Sequence, residues 1–183
     1  MPTPLRIAFI LFLTLPINAS ILWDWNYSAS GIVAGGTFTT ADTPDANGGH
    51  LITAITGTRN AATIIGLQPT GTPIPGNEPF DVDNLIFAGP GPQLTKNGFG
   101  FALSDRTYSN PFYADFLPTP AYLEFFSDPP SSTELEVQFS AAPISVPEPA
   151  GFALVFAGLA MVAIVLDFGN NNIRNRESRC PLS

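Results

Sequence analysis

His50 is the only histidine in this chain of 183 residues, and a catalytic triad or a histidine zinc site would have to use it. No Gly-x-Ser-x-Gly motif accompanies it, and no second histidine could share a metal ion with it. It follows Gly48 and Gly49 at the start of a β-branched run, a position typical of turns. We therefore predict that His50 is an exposed turn residue and that the protein is not an enzyme.

A turn-rich loop carries a group of oxygen-bearing side chains. Asp81, Asp83 and Asn84 follow Asn77 and Glu78, and hard oxygen ligands of this kind suit Ca²⁺. The spacing of an EF-hand is absent, so an acidic, solvated loop explains the same residues equally well. We predict no bound metal or other cofactor, and calcium at this loop is the alternative.

Two further patterns are typical of carbohydrate chemistry. Glu134 and Glu136 stand two residues apart on a predicted strand, so they share a face, as glycosidase carboxylates sometimes do. Their alternation with apolar residues is equally typical of an ordinary solvent face. Trp23, Trp25 and Tyr27 also share a strand face, and such aromatics either stack on sugars or close one end of a core. A groove lined by Trp23, Trp25 or phenylalanine side chains would favour sugar binding.

The region that must position these side chains spans residues 21–143, and its composition predicts short β-strands joined by tight turns. It is rich in Gly, Pro, Thr, Asn and Phe, and no window keeps a 3.6-residue apolar period. Asn47-Gly48 and Asn97-Gly98 predict type I′ turns. We expect an all-β domain, either an antiparallel sandwich or an open barrel. The predicted strands are 27–40 (one or two strands, with a kink at Gly35-Gly36), 50–58, 62–67, 84–88, 99–104, 121–127 and 133–140.

The last of these runs shows the clearest alternation. Leu135, Val137 and Phe139 should face the core, while the residues between them face solvent.

Residues 1–20 are predicted to be a signal peptide. Arg6 precedes an apolar run over 7–17, which is too short to span a bilayer comfortably, since a span needs about 20 residues. Small residues follow, and we place cleavage by signal peptidase after Ala19 or Ser20. An uncleaved membrane anchor is the alternative.

A second apolar run, over 150–166, contains no charge and lacks the polar face that a soluble helix needs. Its length is at the short end of what crosses a bilayer, so we predict a transmembrane helix, with a buried core helix as the alternative. Arg174, Arg176 and Arg179 follow it, so the positive-inside rule places this basic tail in the cytoplasm and the β-rich domain outside.

The charge of the predicted outer domain excludes some partners. Residues 20–146 hold twelve acidic and three basic residues, a net charge of −9, which repels nucleic acid and anionic lipid. The only cysteine, Cys180, lies in the predicted tail. The outer domain must therefore fold without a disulfide.

The segment Val146-Pro147-Glu148-Pro149, followed by an apolar run and then by arginines, resembles the PEP-CTERM sorting signal. That resemblance implies export by a Gram-negative bacterium that makes extracellular polysaccharide. It also implies recognition by an exosortase, an intramembrane cysteine peptidase that would cut near Pro147, Glu148 and Pro149. Unlike the usual family tail, this one places Asp167 after the helix and spreads its arginines. Residues 50–67, 83–87 and 98–104 resemble an uncharacterised module of the same family, which implies no activity.

Together these patterns divide the chain into three parts: a signal peptide (1–20), a β-rich extracytoplasmic domain (21–143), and a linker with the motif, the helix and the basic tail (144–183). We expect a surface or matrix protein, associated with exopolysaccharide or biofilm, in a structural or adhesive role. It would bind signal peptidase and exosortase transiently and remain in the inner membrane until it is released. A carbohydrate-binding module is the first alternative. A hydrolase is the second, and would require a pocket that holds the histidine or two close carboxylates.

Overall fold

The computed structural model describes residues 20–144. They form nine β-strands, and within this range no helix is long and apolar enough to cross a membrane. Apart from Ser20, the predicted signal peptide lies outside the described residues, as do the predicted sorting motif, transmembrane helix and basic tail. The strands are β1 (Ser20–Ala29), β2 (Ile32–Ala41), β3 (Gly49–Arg59), β4 (Ala62–Leu67), β5 (Leu85–Phe87), β6 (Phe101–Leu103), β7 (Tyr108–Ala114), β8 (Ala121–Asp128) and β9 (Ser131–Pro143).

Eight of the strands form a closed antiparallel barrel in the order β2-β1-β9-β8-β7-β6-β4-β3, and β5 adds to the first residues of β3. The all-β, antiparallel prediction is confirmed. Where we expected a sandwich or an open barrel, the sheet closes, because β3 pairs with β2 from Ala34↔Arg59 to Thr40↔Ile52. Closure gives the backbone groups of β2 a partner strand on both sides, so neither of its edges is left open.

The predicted strands are largely present, with one omission. The run 27–40, predicted as one or two strands, contains the end of β1 and most of β2, and the turn between them lies at Ser30-Gly31. Strand β7 was not predicted, because Asn110 and Pro111 lie at its centre and both are depleted in strands. It nevertheless pairs with β8 along its whole length.

The predicted type I′ turns are wrong. Such a turn needs positive φ at both central residues, and at Asn47-Gly48 and Asn97-Gly98 only the glycines have it. Side chains shape these turns instead. Asp45 Oδ1 accepts hydrogen bonds from the Asn47 and Gly49 amides, and Thr95 Oγ1 accepts them from the Asn97 and Gly98 amides.

Aromatic side chains fill the barrel. Trp25 stacks on Phe38 with ring centroids 5.2 Å apart, and Phe99 packs edge-on against Phe38 at 4.9 Å. Phe101 and Phe139 complete this cluster from β6 and β9. Such pairs stabilise a core beyond the apolar area that they bury.

The alternation predicted for β9 holds over part of the strand. Val137 and Phe139 are buried as expected, but Leu135 is 46% exposed. The reason is pairing. β1 pairs with β9 only from Gln138 to Pro143, so the first half of β9 extends past β1 and has a neighbour only in β8.

Candidate functional site

The predicted aromatic row lies inside the barrel. Trp23 and Trp25 are 1% exposed and Tyr27 is fully buried. Trp23 Nε1 donates a hydrogen bond to Thr40 Oγ1 at 3.0 Å, which fixes the ring against β2. The interpretation of this row as a sugar-stacking face is therefore wrong, and the row closes the core instead.

A charged group lies among these apolar side chains. The Glu124 carboxylate, on β8, is completely buried and forms a two-pronged ion pair with Arg59, at the end of β3. Arg59 Nε lies 2.6 Å from Glu124 Oε1, and Nη2 lies 2.9 Å from Oε2. Tyr27 OH and Ser109 Oγ donate to the same Oε1 at 2.5 and 2.6 Å. Four strands of the barrel therefore meet at one carboxylate.

The surroundings of Arg59 stabilise its charged form. Burial lowers the pKa of Arg59, but its hydrogen bonds to Glu124 and the charge of that carboxylate raise it above its ordinary value overall. The Arg59 guanidinium also lies 3.7 Å from the centre of the Phe126 ring, a cation–π contact. Burial, followed by the Glu124 charge, raises the pKa of Tyr27, which keeps its hydroxyl proton available for donation. Both carboxylate oxygens of Glu124 accept hydrogen bonds from residues of other strands, so the group links β1, β3 and β7 to β8.

The structure places His50 in β3, where it is half-buried, so the prediction of an exposed turn residue is wrong. His50 Nδ1 lies 3.0 Å from the Ala41 carbonyl oxygen, and its ring centre lies 6.0 Å from that of Trp23. Strand pairing with β5 explains the burial, because Ile86 lies opposite His50.

In the predicted calcium loop, side-chain oxygens of Glu78, Asp83 and Asn84 accept hydrogen bonds from other groups of the protein. Asp83 accepts from the Leu85 amide and, at 2.6 Å, from Thr95 Oγ1, and burial raises the pKa of its carboxyl. The Asn84 side chain is fully buried and bonds three backbone or hydroxyl groups. Both carboxylate oxygens of Glu78 face the Gly76 amide. Within residues 20–144, no group of three or more acidic, histidine or cysteine side chains could hold a metal ion.

A cleft of about 200 Å³ lies on the outer face of the barrel, over β7, β8 and β9. Its walls are four phenylalanines, three asparagines and one residue of each charge: Phe80, Phe112, Phe116, Phe125, Asn77, Asn97, Asn110, Lys96 and Glu134. Of the predicted pair Glu134 and Glu136, which are both exposed, only Glu134 reaches the cleft. This cleft is the candidate binding site.

Strand register sets the floor of the cleft. Asn110 on β7 lies opposite Phe125 on β8, and Phe125 lies opposite Glu134 on β9, so the three form a row across the sheet. Neighbouring positions on the same strands face inward, as Ser109 and Glu124 do. Strands β7 and β8 therefore present Ser109 and Glu124 to the barrel interior on one face and form the floor of the cleft on the other.

The Asn110 side chain connects the floor of the cleft to two neighbouring loops by hydrogen bonds. Its Nδ2 donates to the carbonyl oxygens of Asn97 and Phe99, both at 3.0 Å, and its Oδ1 accepts from Asn77 Nδ2 at 3.2 Å. The Asn77 carbonyl in turn accepts from the Phe80 amide at 2.9 Å. Asn110 is 3% exposed, so its role is to position the walls rather than to contact a ligand.

The cleft was not predicted from the sequence. Phe80 and Phe116 lie in loops between strands, where no periodic pattern marks them. The available signal was a large apolar residue among turn residues, in Glu78-Pro79-Phe80-Asp81 and Asp115-Phe116. Glu124, set within the apolar run Tyr122–Phe126, was a similar signal for the buried pair.

The residues predicted to direct sorting lie outside the described range: Pro147, Glu148, Pro149, Arg174, Arg176 and Arg179. No protein-family model, curated protein or solved structure matches this chain. The PEP-CTERM resemblance therefore stays a prediction from the motif.

Proposed function

We propose that this protein is exported and acts at the cell surface or in the extracellular matrix, in a structural or adhesive role. The observation that carries the proposal is the order of segments along the chain. An apolar run over 7–17 precedes the barrel, and Pro147-Glu148-Pro149, a second apolar run and Arg174, Arg176 and Arg179 follow it. Each end of such a chain carries a signal for the membrane, and the acidic domain lies between them.

The composition, charge and closed sheet of the barrel suit a domain that functions outside the cytoplasm. Residues 20–144 contain no cysteine, so the domain does not depend on the redox state of its compartment. A closed sheet and a net charge of −9 both oppose self-association. Aromatic rings and the ion pair fill the interior, so contact with a partner falls to the outer surface.

The two ends of the barrel segment lie together, which suits a domain tethered from one side. The Ile144 amide donates to the Leu22 carbonyl oxygen at 2.7 Å, and Trp23 lies opposite Pro143. Ser20 or Ile21, the predicted mature N-terminus, and Ile144, which precedes the predicted sorting motif, therefore lie at one end of the barrel. Cleavage before Ser20 and near Pro147-Glu148-Pro149 would release the folded barrel with all of its strand pairs intact.

Sorting is tested by Glu148→Ala, which removes one charge from the motif and leaves the apolar run intact. We expect this variant to accumulate at full length in the inner membrane. The parent protein should be shorter by about 35 residues, the length of chain that follows Pro147-Glu148-Pro149, and should appear in the outer envelope or the medium. Fractionation with an antibody against the barrel measures both size and location.

The control is Glu136→Ala, which removes the same charge from an exposed position on β9. It should be processed like the parent. If Glu148→Ala and the parent had the same size and location, the apolar run would be only an anchor, and the proposal of sorting would be wrong.

A further inference from the structure

The cleft over β7, β8 and β9 is too small for a protein partner. A stable protein interface uses about 20–30 residues a side, whereas nine residues line this cleft. Its volume of about 200 Å³ is also below the range of about 300–1,000 Å³ for sites that enclose a drug-sized ligand. A ligand of one or two small rings, or part of a chain passing over the surface, fits these dimensions.

The walls combine aromatic faces with amides. Phe80 and Phe116 are 68% and 66% exposed, although each could lower the free energy by burial. Asn97 is exposed beside them and offers both a hydrogen-bond donor and an acceptor. A ligand that packs on the phenylalanine rings and also hydrogen-bonds to the Asn97 amide must have an apolar face and a hydroxylated edge. A pyranose ring has both, because its axial C–H bonds face the electron-rich side of an aromatic ring.

The charges favour a neutral ligand. Lys96 and Glu134 contribute opposite charges to the cleft wall, so their sum gives no preference for an ion. The net charge of −9 on the barrel repels acidic polymers at long range. An anionic polysaccharide would therefore bind less tightly than a neutral one of the same length.

The position of the cleft leaves it accessible. Glu134 precedes Ile144 by ten residues along the last strand, a distance of about 33 Å at the rise of an extended strand. The chain leaves the barrel at Ile144, so the cleft lies toward the other end of β9. A tether at Ile144 would leave room for a long chain to cross the cleft.

From these observations we propose that the cleft binds a neutral carbohydrate chain, with one or two pyranose rings stacked on Phe80 and Phe116 and hydroxyls bonded to Asn97. Gluco-configured sugars should bind best, because equatorial hydroxyls leave both ring faces apolar. The proposal rests on the surface role proposed above for its biological setting, but binding itself does not depend on sorting.

The test is titration calorimetry with the β-1,4-linked glucose hexamer as probe, using the full-length protein in a polyoxyethylene detergent that carries no sugar. We expect saturable binding with a Kd on the order of 1 mM or tighter. Phe80→Ala and Phe116→Ala should each weaken binding about tenfold, as for a central contact residue, and Phe116→Trp should keep it. Ile65→Ala, a control that is 67% exposed on β4, should bind like the parent.

Other results would overturn the proposal. One is the absence of binding by this hexamer and by the equivalent mannose and galactose oligomers. A second is binding that both phenylalanine variants leave unchanged. A third is a change in self-association in those variants, seen by sedimentation, with no change in sugar binding, which would assign the cleft to a second copy of the chain. Failure of sorting in the Glu148→Ala experiment would leave all three readouts unaffected, so the two proposals fail separately.

Discussion

Replacing Arg59 with methionine should lower the free energy of unfolding by about 3–5 kcal/mol, a large part of the total for a domain of this size. The substitution keeps most of the apolar volume but leaves the fully buried Glu124 carboxylate without its cation. The hydrogen bonds from Tyr27 and Ser109 remain, but they do not neutralise the charge. Chemical denaturation of the full-length protein, followed by tryptophan fluorescence, measures the loss.

A second variant separates the ion pair from general packing. Arg59→Met combined with Glu124→Met should recover most of the loss, because no charge is then buried. Tyr27 OH and Ser109 Oγ lie 2.9 Å apart and can bond each other once the carboxylate is gone. Lys96→Met removes an exposed positive charge and should be nearly neutral. If the double variant were no more stable than Arg59→Met alone, the loss would not come from an unpaired buried charge, contrary to this expectation.

Gly36→Ala should cost about 3 kcal/mol, at the upper end of what overpacking costs. Gly36 on β2 lies opposite Gly57 on β3, at the pairing that closes the barrel. A Cβ added at Gly36 would come within 3.0 Å of the Thr56 carbonyl oxygen and of the Gly57 Cα. These are backbone atoms, so relief requires β2 and β3 to separate. The denaturation midpoint should fall accordingly.

Gly66→Ala is the matched control. Gly66 also lies in a strand of the barrel, but an added Cβ there would meet no atom within 4 Å. Alanine should be tolerated, or should stabilise slightly by restricting the unfolded chain. Equal losses at Gly36 and Gly66 would show that glycine is needed for strand flexibility in general, and would contradict a close approach at the β2–β3 pairing.

Alternation of apolar and polar residues predicted the strands that have one solvent-exposed and one buried face. Val137 and Phe139 were assigned correctly because an alternating strand has only two sides. Closure of the sheet was not predictable in this way. It depends on which strands pair at long range, and the opposed glycines of β2 and β3 show their meaning only once the two strands are side by side. Strand β7 was missed because pairing with β8 overrides the poor propensity of Asn110 and Pro111.

The candidate sites show the same limit. The sequence correctly placed three aromatic residues, Trp23, Trp25 and Tyr27, on one strand face. It left open whether that face was exposed to solvent or buried. The cleft joins loop and strand residues that are up to 57 positions apart, from Asn77 to Glu134, so no local spacing marks it. Arg59 and Glu124 are likewise brought together only by the closed barrel.

The claim that the barrel lies outside the cytoplasm is tested most directly by thiol labelling. Ser132→Cys places a thiol at an exposed position in β9, and Cys180→Ser in the same chain removes the only natural one. Cells with a permeabilised outer membrane but an intact inner membrane are treated with a maleimide that does not cross membranes. We expect the thiol at position 132 to be labelled under these conditions. Labelling only after the inner membrane is broken would place the barrel in the cytoplasm and contradict the proposed function.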